Sequence, residues 1–388
     1  MDNSDISILI LDKSFTATYA VSEFFSFIWV ERYYACGVFE LQCMLTLDNF
    51  NNIKVGNYVW INGSDTLMVI EKVQIGWNPE RTSQLLVYTG RTIESILDRR
   101  IIWGKWSISD TQPIQASFFN LISANAVNPS DKDRKLDMFS LGLNLVNPEL
   151  DKHKVSASGF ADNLLEVIWA ACESEGVGFR ARYVDGASTC VLQFYIGDDR
   201  SYDQLKLPPV IFSASYENLG GVRYGLDTTE YKTLVYAYGP EETYDITDSE
   251  GNVTTAKDQT ILVVGSRKLT GLNRREMSVK AQSSYPNDIQ QKAMEELAKV
   301  DTLDVIDAEL DNNKQFQYGK DFFMGDIVQV ITEFGLDARA RVTEFARYWS
   351  AEGYTEVPTF EILDDNEFTT EVLGRSRSAS MEVNDSGT

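Results

Sequence analysis

The chain has one histidine, His153, in 388 residues. This excludes H-E-x-x-H zinc sites and any centre built on two histidines, and it leaves a single residue for every Ser/His/Asp or Cys/His arrangement. His153 lies in Glu149-Leu150-Asp151-Lys152-His153-Lys154, a charged stretch expected at the solvated surface. Cysteine is almost as scarce. Cys36, Cys43, Cys172 and Cys190 form neither a C-x-x-C pair nor a dense framework, and read as reduced thiols of a protein folded in a cytoplasm. Long apolar runs are missing too: Phe24 to Val30 is too short to cross a bilayer, and Met1-Asp2-Asn3-Ser4-Asp5 lacks the positive region of a signal peptide. Gly104-Lys105 has no upstream glycine at Walker A spacing, and no G-x-G-x-x-G follows a strand.

Basic residues are outnumbered, 35 Lys and Arg against 58 Asp and Glu, for a net charge of −23. That balance argues against a nucleic-acid-binding surface, which needs cations to neutralise phosphates; it favours solubility. Among so many carboxylates, neighbours such as Glu241-Glu242 or Glu295-Glu296 carry no weight as paired glycosidase acids. The run Asp245-Ile246-Thr247-Asp248-Ser249-Glu250-Gly251 does not place its oxygens on EF-hand positions and reads as an acidic turn. Trp103-Gly104-Lys105-Trp106 could stack on sugar rings, although core or subunit-interface burial is the commoner fate of such tryptophans. No catalytic residue, metal ligand or cofactor is assigned, and the chain is read as a non-enzyme.

What the sequence does contain is strand pattern, in a chain long enough for two to four domains and 43% hydrophobic. In Phe322-Phe323-Met324-Gly325-Asp326-Ile327-Val328-Gln329-Val330-Ile331, continuing through Ala338-Arg339-Ala340-Arg341-Val342-Thr343-Glu344, apolar residues alternate at the two-residue period of a half-buried hairpin entered by a Gly-Asp turn. A fainter copy runs from Lys54-Val55-Gly56-Asn57-Tyr58-Val59-Trp60-Ile61 to Thr66-Leu67-Met68-Val69-Ile70-Glu71, and both copies close on Val-x-Glu, Val69 to Glu71 and Val342 to Glu344. An internal duplication this far apart predicts two similar β-barrels. The residues singled out as scaffold and ring-forming elements are Val55, Gly56, Asn57, Val59, Val69, Glu71, Met324, Gly325, Asp326, Val328, Val342 and Glu344.

The pattern predicts a β-rich α+β chain in five parts: a first antiparallel barrel over 1–100, an α+β insert over 101–210, strands and an exposed loop over 211–265, a second barrel over 266–365 including a helix at 286–300, and a flexible tail over 366–388. In the insert, Ile114, Phe118, Leu121 and Ile122 fall at helical spacing. Phe160, Leu164, Leu165, Ile168, Ala171 and Cys172 make one helix face, with Ser158 as the expected N-cap and Gly176 just past the end. Val177 to Tyr183 and Thr189 to Ile196 flank an Asp185-Gly186 turn, a hairpin signature.

The segments Ile6 to Trp29, Gly37-Val38-Phe39-Glu40-Leu41, the Val55-Gly56 hairpin with Gly90-Arg91-Thr92-Ile93-Glu94-Ser95-Ile96-Leu97, and the Gly325-Asp326 hairpin ending in Pro358-Thr359-Phe360 resemble the siphophage tail-hub proteins over residues 5 to 365. These are similar to baseplate hubs of contractile tails and to the N-terminal hub half of tail-associated lysins. The resemblance implies a trimeric ring in which two tail-tube-like barrels per chain give six around a channel, joining a six-fold tube to a three-fold tip. It further implies a virion protein made in the host cytoplasm, with a tail-tube or distal tail protein above and a tip, fibre or tape-measure protein below. DNA would pass through the ring without specific binding. Two alternatives are a hub part of a peptidoglycan hydrolase, though only about twenty hydrophilic residues follow the second barrel, and a receptor- or glycan-binding tip protein.

Overall fold

In the strand Val38–Met44, Phe39, Leu41 and Cys43 are buried while Val38, Glu40 and Gln42 are half-exposed, the period-two pattern that commits one face of a strand to a core. Strands of this kind build the main body of the computed structural model, which describes residues 6–77, 81–143, 147–216, 218–247, 253–265, 269–298, 300, 303–309, 315–363 and 382–385. Thirteen of them pair into one sheet.

That sheet contains the same five-strand unit twice. In the first, Tyr58–Ile61, Leu67–Trp77, Gln84–Thr92, Val38–Met44 and Ser26–Arg32 lie side by side in that order, all antiparallel. The second runs Ile327–Ile331, Asp337–Ser350, Gly353–Ile362, Leu303–Glu309 and Gly220–Asp227, again antiparallel throughout. Further strands lie outside the first strand of each unit, two in the first unit, where Ala17–Val21 flanks Ile8–Leu11, and one in the second. Ile8–Leu11 lies antiparallel to Tyr58–Ile61, whereas Ile211–Ser213 lies parallel to Ile327–Ile331.

The two closed barrels expected from the duplication are not what the chain forms. Ser26–Arg32 does not return to the first unit but pairs with the second half of Asp337–Ser350, so the units join into one open sheet. Each unit finds a partner for one side edge within the chain, and among the described residues no strand pair closes either unit on itself.

The hairpin of Tyr58–Ile61 with Leu67 to Ile70 is buried on both faces. Val59, Met68 and Ile70 enter one core with Phe27, Trp29 and Phe39. Tyr58, Trp60, Leu67 and Val69 enter the other, shared with the insert, where helices Ile114–Ile122 and Leu164–Glu175 pack with strands Phe139–Leu141, Gly178–Arg182 and Cys190–Tyr195. Double burial explains why Leu67 to Ile70 is apolar without alternation. The second insert helix starts later than its sequence suggests. Asn163, not Ser158, is the N-cap, its side-chain oxygen accepting from the amides of Leu165 and Glu166, and Phe160 is an exposed residue of the strand Ala157–Phe160. Gly176 ends that helix in the left-handed region, as expected.

Helix Pro286–Ala298 forms where Ile289, Ala293 and Leu297 predict a buried stripe, but it packs on Leu234–Tyr238, Ile261–Gly265 and Glu276–Lys280 rather than on the second unit. The acidic loop is the hairpin Glu242–Thr247 with Val253–Asp258; its tip at Glu250-Gly251-Asn252 lies outside the described residues. Most of the predicted tail also lies outside them, but Glu382–Asp385 is a strand paired with Ile261–Gly265. All four cysteines are buried and unpaired.

Candidate functional site

Hydrogen bonding carries the duplication down to single residues. The Gly56 amide donates to the Ile70 carbonyl at 2.8 Å and the Ile70 amide to the Asn57 carbonyl at 2.9 Å. In the second unit the Gly325 amide donates to the Val342 carbonyl and the Val342 amide to the Asp326 carbonyl, both at 2.9 Å. Gly56 and Gly325 have φ of 90° and 87°. Tyr58 faces Val69 as Ile327 faces Arg341, and Ile70 faces Gly90 as Val342 faces Phe360. Both ladders then slip by one residue at the same place, between Ile70 and Lys72 and between Val342 and Glu344. Ile70 is therefore the counterpart of Val342, and Lys72 that of Glu344. The Val69–Val342 and Glu71–Glu344 match suggested by Val-x-Glu is one residue out.

The cause is the bulge. Glu71 and Thr343 are the extra residues that leave the ladder, and a bulge re-aims its side chain without changing the sequence pattern. Glu71 turns to Arg91 on the next strand of its own unit, with Nε at 2.8 Å and Nη2 at 2.9 Å, a bidentate pair. Of the other singled-out residues, Val59, Val69, Val328, Val342 and Met324 are buried, whereas Val55 is exposed. A Cβ on Gly56 would meet only Lys13 Cε, at 3.9 Å, so Gly56→Ala isolates the backbone term. Urea unfolding should show a loss of about 1 kcal/mol for this variant.

The second hairpin is anchored more deeply. Asp326 Oδ1 accepts from the Asp198 amide at 2.7 Å, while Oδ2 accepts from Arg200 Nε at 2.7 Å and from the Phe323 amide at 3.0 Å. Burial pushes this carboxyl up from its usual range against the pull of those donors. Beside it, Tyr33 is fully buried against Gly325, where an added Cβ would come within 2.3 Å of the ring. The Tyr33 hydroxyl donates to the Gly176 carbonyl at 3.1 Å, and burial pushes it up to about 12. One ring thus ties the end of Ser26–Arg32, the insert and the second hairpin together.

The joint between the units is tied on both of its faces. Arg32 Nε donates to Glu344 Oε2 at 2.6 Å. On the other face, Glu31 takes Arg347, the Trp29 indole at 3.1 Å and the Tyr318 hydroxyl at 2.9 Å. Trp349 closes the joint by stacking on Phe27, ring centroids 5.4 Å apart. Sequence reading found the hairpins and missed this joint, because strand partners 312 residues apart leave no local signature.

Elsewhere the molecule offers little chemistry. His153 is half-buried, its Nδ1 3.3 Å from Glu175. A groove of about 460 Å³ is lined by Lys105, Asp162, Lys280, Tyr285, Asp288 and Lys292, with no histidine or cysteine in its wall. Among the described residues no cluster of three or more His, Cys, Asp or Glu is placed to hold a metal, and no helix is long and apolar enough to cross a membrane. Trp103 is exposed, whereas Trp106 donates to Asp162 at 2.7 Å.

The fold has solved counterparts. A tail protein from Neisseria meningitidis MC58 superposes with a TM-score of 0.54 at 14% identity, covering 94% of this chain and 98% of that one. The 43 kDa tail protein of prophage MuSo2 from Shewanella oneidensis gives 0.54 at 13% identity, over 91% and 98%. No curated protein sequence matches. The family described as Siphovirus ReqiPepy6 Gp37-like protein matches residues 7–360, and on that match the chain belongs to this siphovirus family.

Proposed function

We propose that the chain is a structural protein of the phage tail, part of the virion, and that it acts there as a trimeric hub joining a six-fold tube to a three-fold tip. The observation that supports this reading is the residue-by-residue repeat of the five-strand unit, with matching turns, registers and bulges. Two equivalent units in each of three chains present six nearly equal surfaces to a six-fold neighbour while keeping three-fold symmetry. The barrel expected within each chain belongs at this level: the open sheet completes its edges only against other copies. The neighbours would be a tube or distal tail protein on one side and a tip, fibre or tape-measure protein on the other. A ring of such acidic chains would repel DNA passing through its channel.

Light scattering of the purified chain at micromolar concentration is expected to give three chain masses, and negative-stain images a ring with a central hole. A monomer or dimer at that concentration would overturn the proposal.

A further inference from the structure

The internal joint leaves one half of itself unmatched at each end of the chain. In the second unit, Glu344 to Ser350 is covered on its outer side by Arg32 to Ser26. The corresponding stretch of the first unit, Lys72 to Trp77, pairs only with Gln84–Thr92, and its other edge carries no strand among the described residues. At the far end of the sheet, Gly220–Asp227 corresponds to Ser26–Arg32 and pairs only with Leu303–Glu309. The chain therefore has one filled joint and the two halves of a second.

The side chains match this description. Phe345, Arg347 and Trp349 lie on the joint's inner face, and their counterparts by register are Val73, Ile75 and Trp77. Trp349 is 6% exposed, whereas Trp77 is 59% exposed and Ile75 58%. A row of three apolar residues on an open strand edge is costly in water and invites strand pairing. The counterpart of Trp29 by register is Tyr224, which packs with Val222 on the second unit's core.

We infer that Lys72 to Trp77 of one copy pairs antiparallel with Gly220–Asp227 of a second copy, repeating the internal joint between chains. Carrying the register across, with Glu344 opposite Arg32 and Arg347 opposite Trp29, sets Lys72 opposite Asp227, Gln74 opposite Gly225 and Ile75 opposite Tyr224. The inference rests on the ring reading and specifies its contact.

Charge supports this pairing over its rivals. Inside the chain an acid, Glu344, faces a base, Arg32; between chains a base, Lys72, would face an acid, Asp227. If the halves were exchanged, Arg32 would face Lys72 and Glu344 would face Asp227, like against like in both. Directly opposed like charges destabilise a strand pair, so the sequence disfavours first-to-first and second-to-second contacts and enforces alternation of units around the ring.

The test is an oxidised Gln74→Cys/Gly225→Cys variant of the full chain. Both positions are exposed, and nothing lies within 4 Å of a Cβ added at Gly225. The four native thiols are buried. A non-reducing denaturing gel should show covalent trimer as the main product, while Gln74→Cys/Arg223→Cys, two residues out of register, should give at least fivefold less. Light scattering on the same samples separates the two readings. A trimer that cross-links equally or better in the shifted pair overturns this register and leaves the ring intact; a chain that stays monomeric overturns both. As an independent arm, Lys72→Glu should weaken trimerisation at least tenfold, and adding Asp227→Lys should restore it. No loss with Lys72→Glu, or no recovery in the double variant, also counts against the pairing.

Discussion

Asp326→Ala is expected to lower the unfolding free energy by about 3 to 5 kcal/mol at pH 7, the range for removing one partner of a buried ion pair. Arg200, whose side chain is 13% exposed, would lose the carboxylate 2.7 Å from its Nε and keep Asp198, at 3.6 Å, as its one acidic partner among the described residues. The amides of Asp198 and Phe323 would lose their acceptor at the same time. Asp326→Asn retains one acceptor oxygen and should cost clearly less. Urea unfolding followed by circular dichroism measures both. A loss below 1 kcal/mol for the alanine variant would show that the hairpin is not held in the way described. Asp326 belongs to the second unit's entry turn, so its loosening should also reduce ring formation.

The second large effect concerns pH. Glu94 is buried beneath the first unit, and its carboxyl is pushed up to about 7 by burial, against the pull of the Thr92 hydroxyl that donates to it. The folded chain thus holds this proton more tightly than the unfolded chain, whose carboxyl titrates near 4.5. The stabilisation from that proton is complete below about pH 4.5 and is lost as pH rises through about 7. Between those limits the wild type should lose on the order of 3 kcal/mol that Glu94→Gln, which cannot ionise, does not lose. The comparison is made by urea unfolding of both proteins at pH 4.5, 6 and 8. Parallel profiles would mean that Glu94 is solvated in the folded state.

Much of the fold was legible because it rests on local chemistry. The Gly56 and Gly325 turns and the helix ended by Gly176 all announce themselves over a few residues. The insert hairpin around Asp185-Gly186 was visible for the same reason. What could not be read was long-range partnership. Nothing local in Ser26–Arg32 says that it pairs with a strand more than three hundred residues away, so the duplication suggested separate barrels where the chain forms one sheet. The helix at Pro286 was correctly placed in sequence but belongs to a different sheet, since its stripe of Ile289, Ala293 and Leu297 specifies burial and not against what. One clue to the candidate site was present and unused: Trp77 and Trp349 stand at the same distance from Ile70 and Val342, and only the ladder makes them equivalent.

The pairing of Ser26–Arg32 with Asp337–Ser350 also bears on how the molecule is made. A ribosome delivers the first partner some three hundred residues before the second, so through most of translation Phe27 and Trp29 sit at an edge whose mate does not yet exist. Closure of that seam is therefore a late event, and a truncated chain ending before residue 337 would leave the outer edge of Ser26–Arg32 bare in addition to the edges that stay open in the full chain. Incomplete products would carry the wrong surfaces for incorporation, which couples completion of synthesis to competence for assembly.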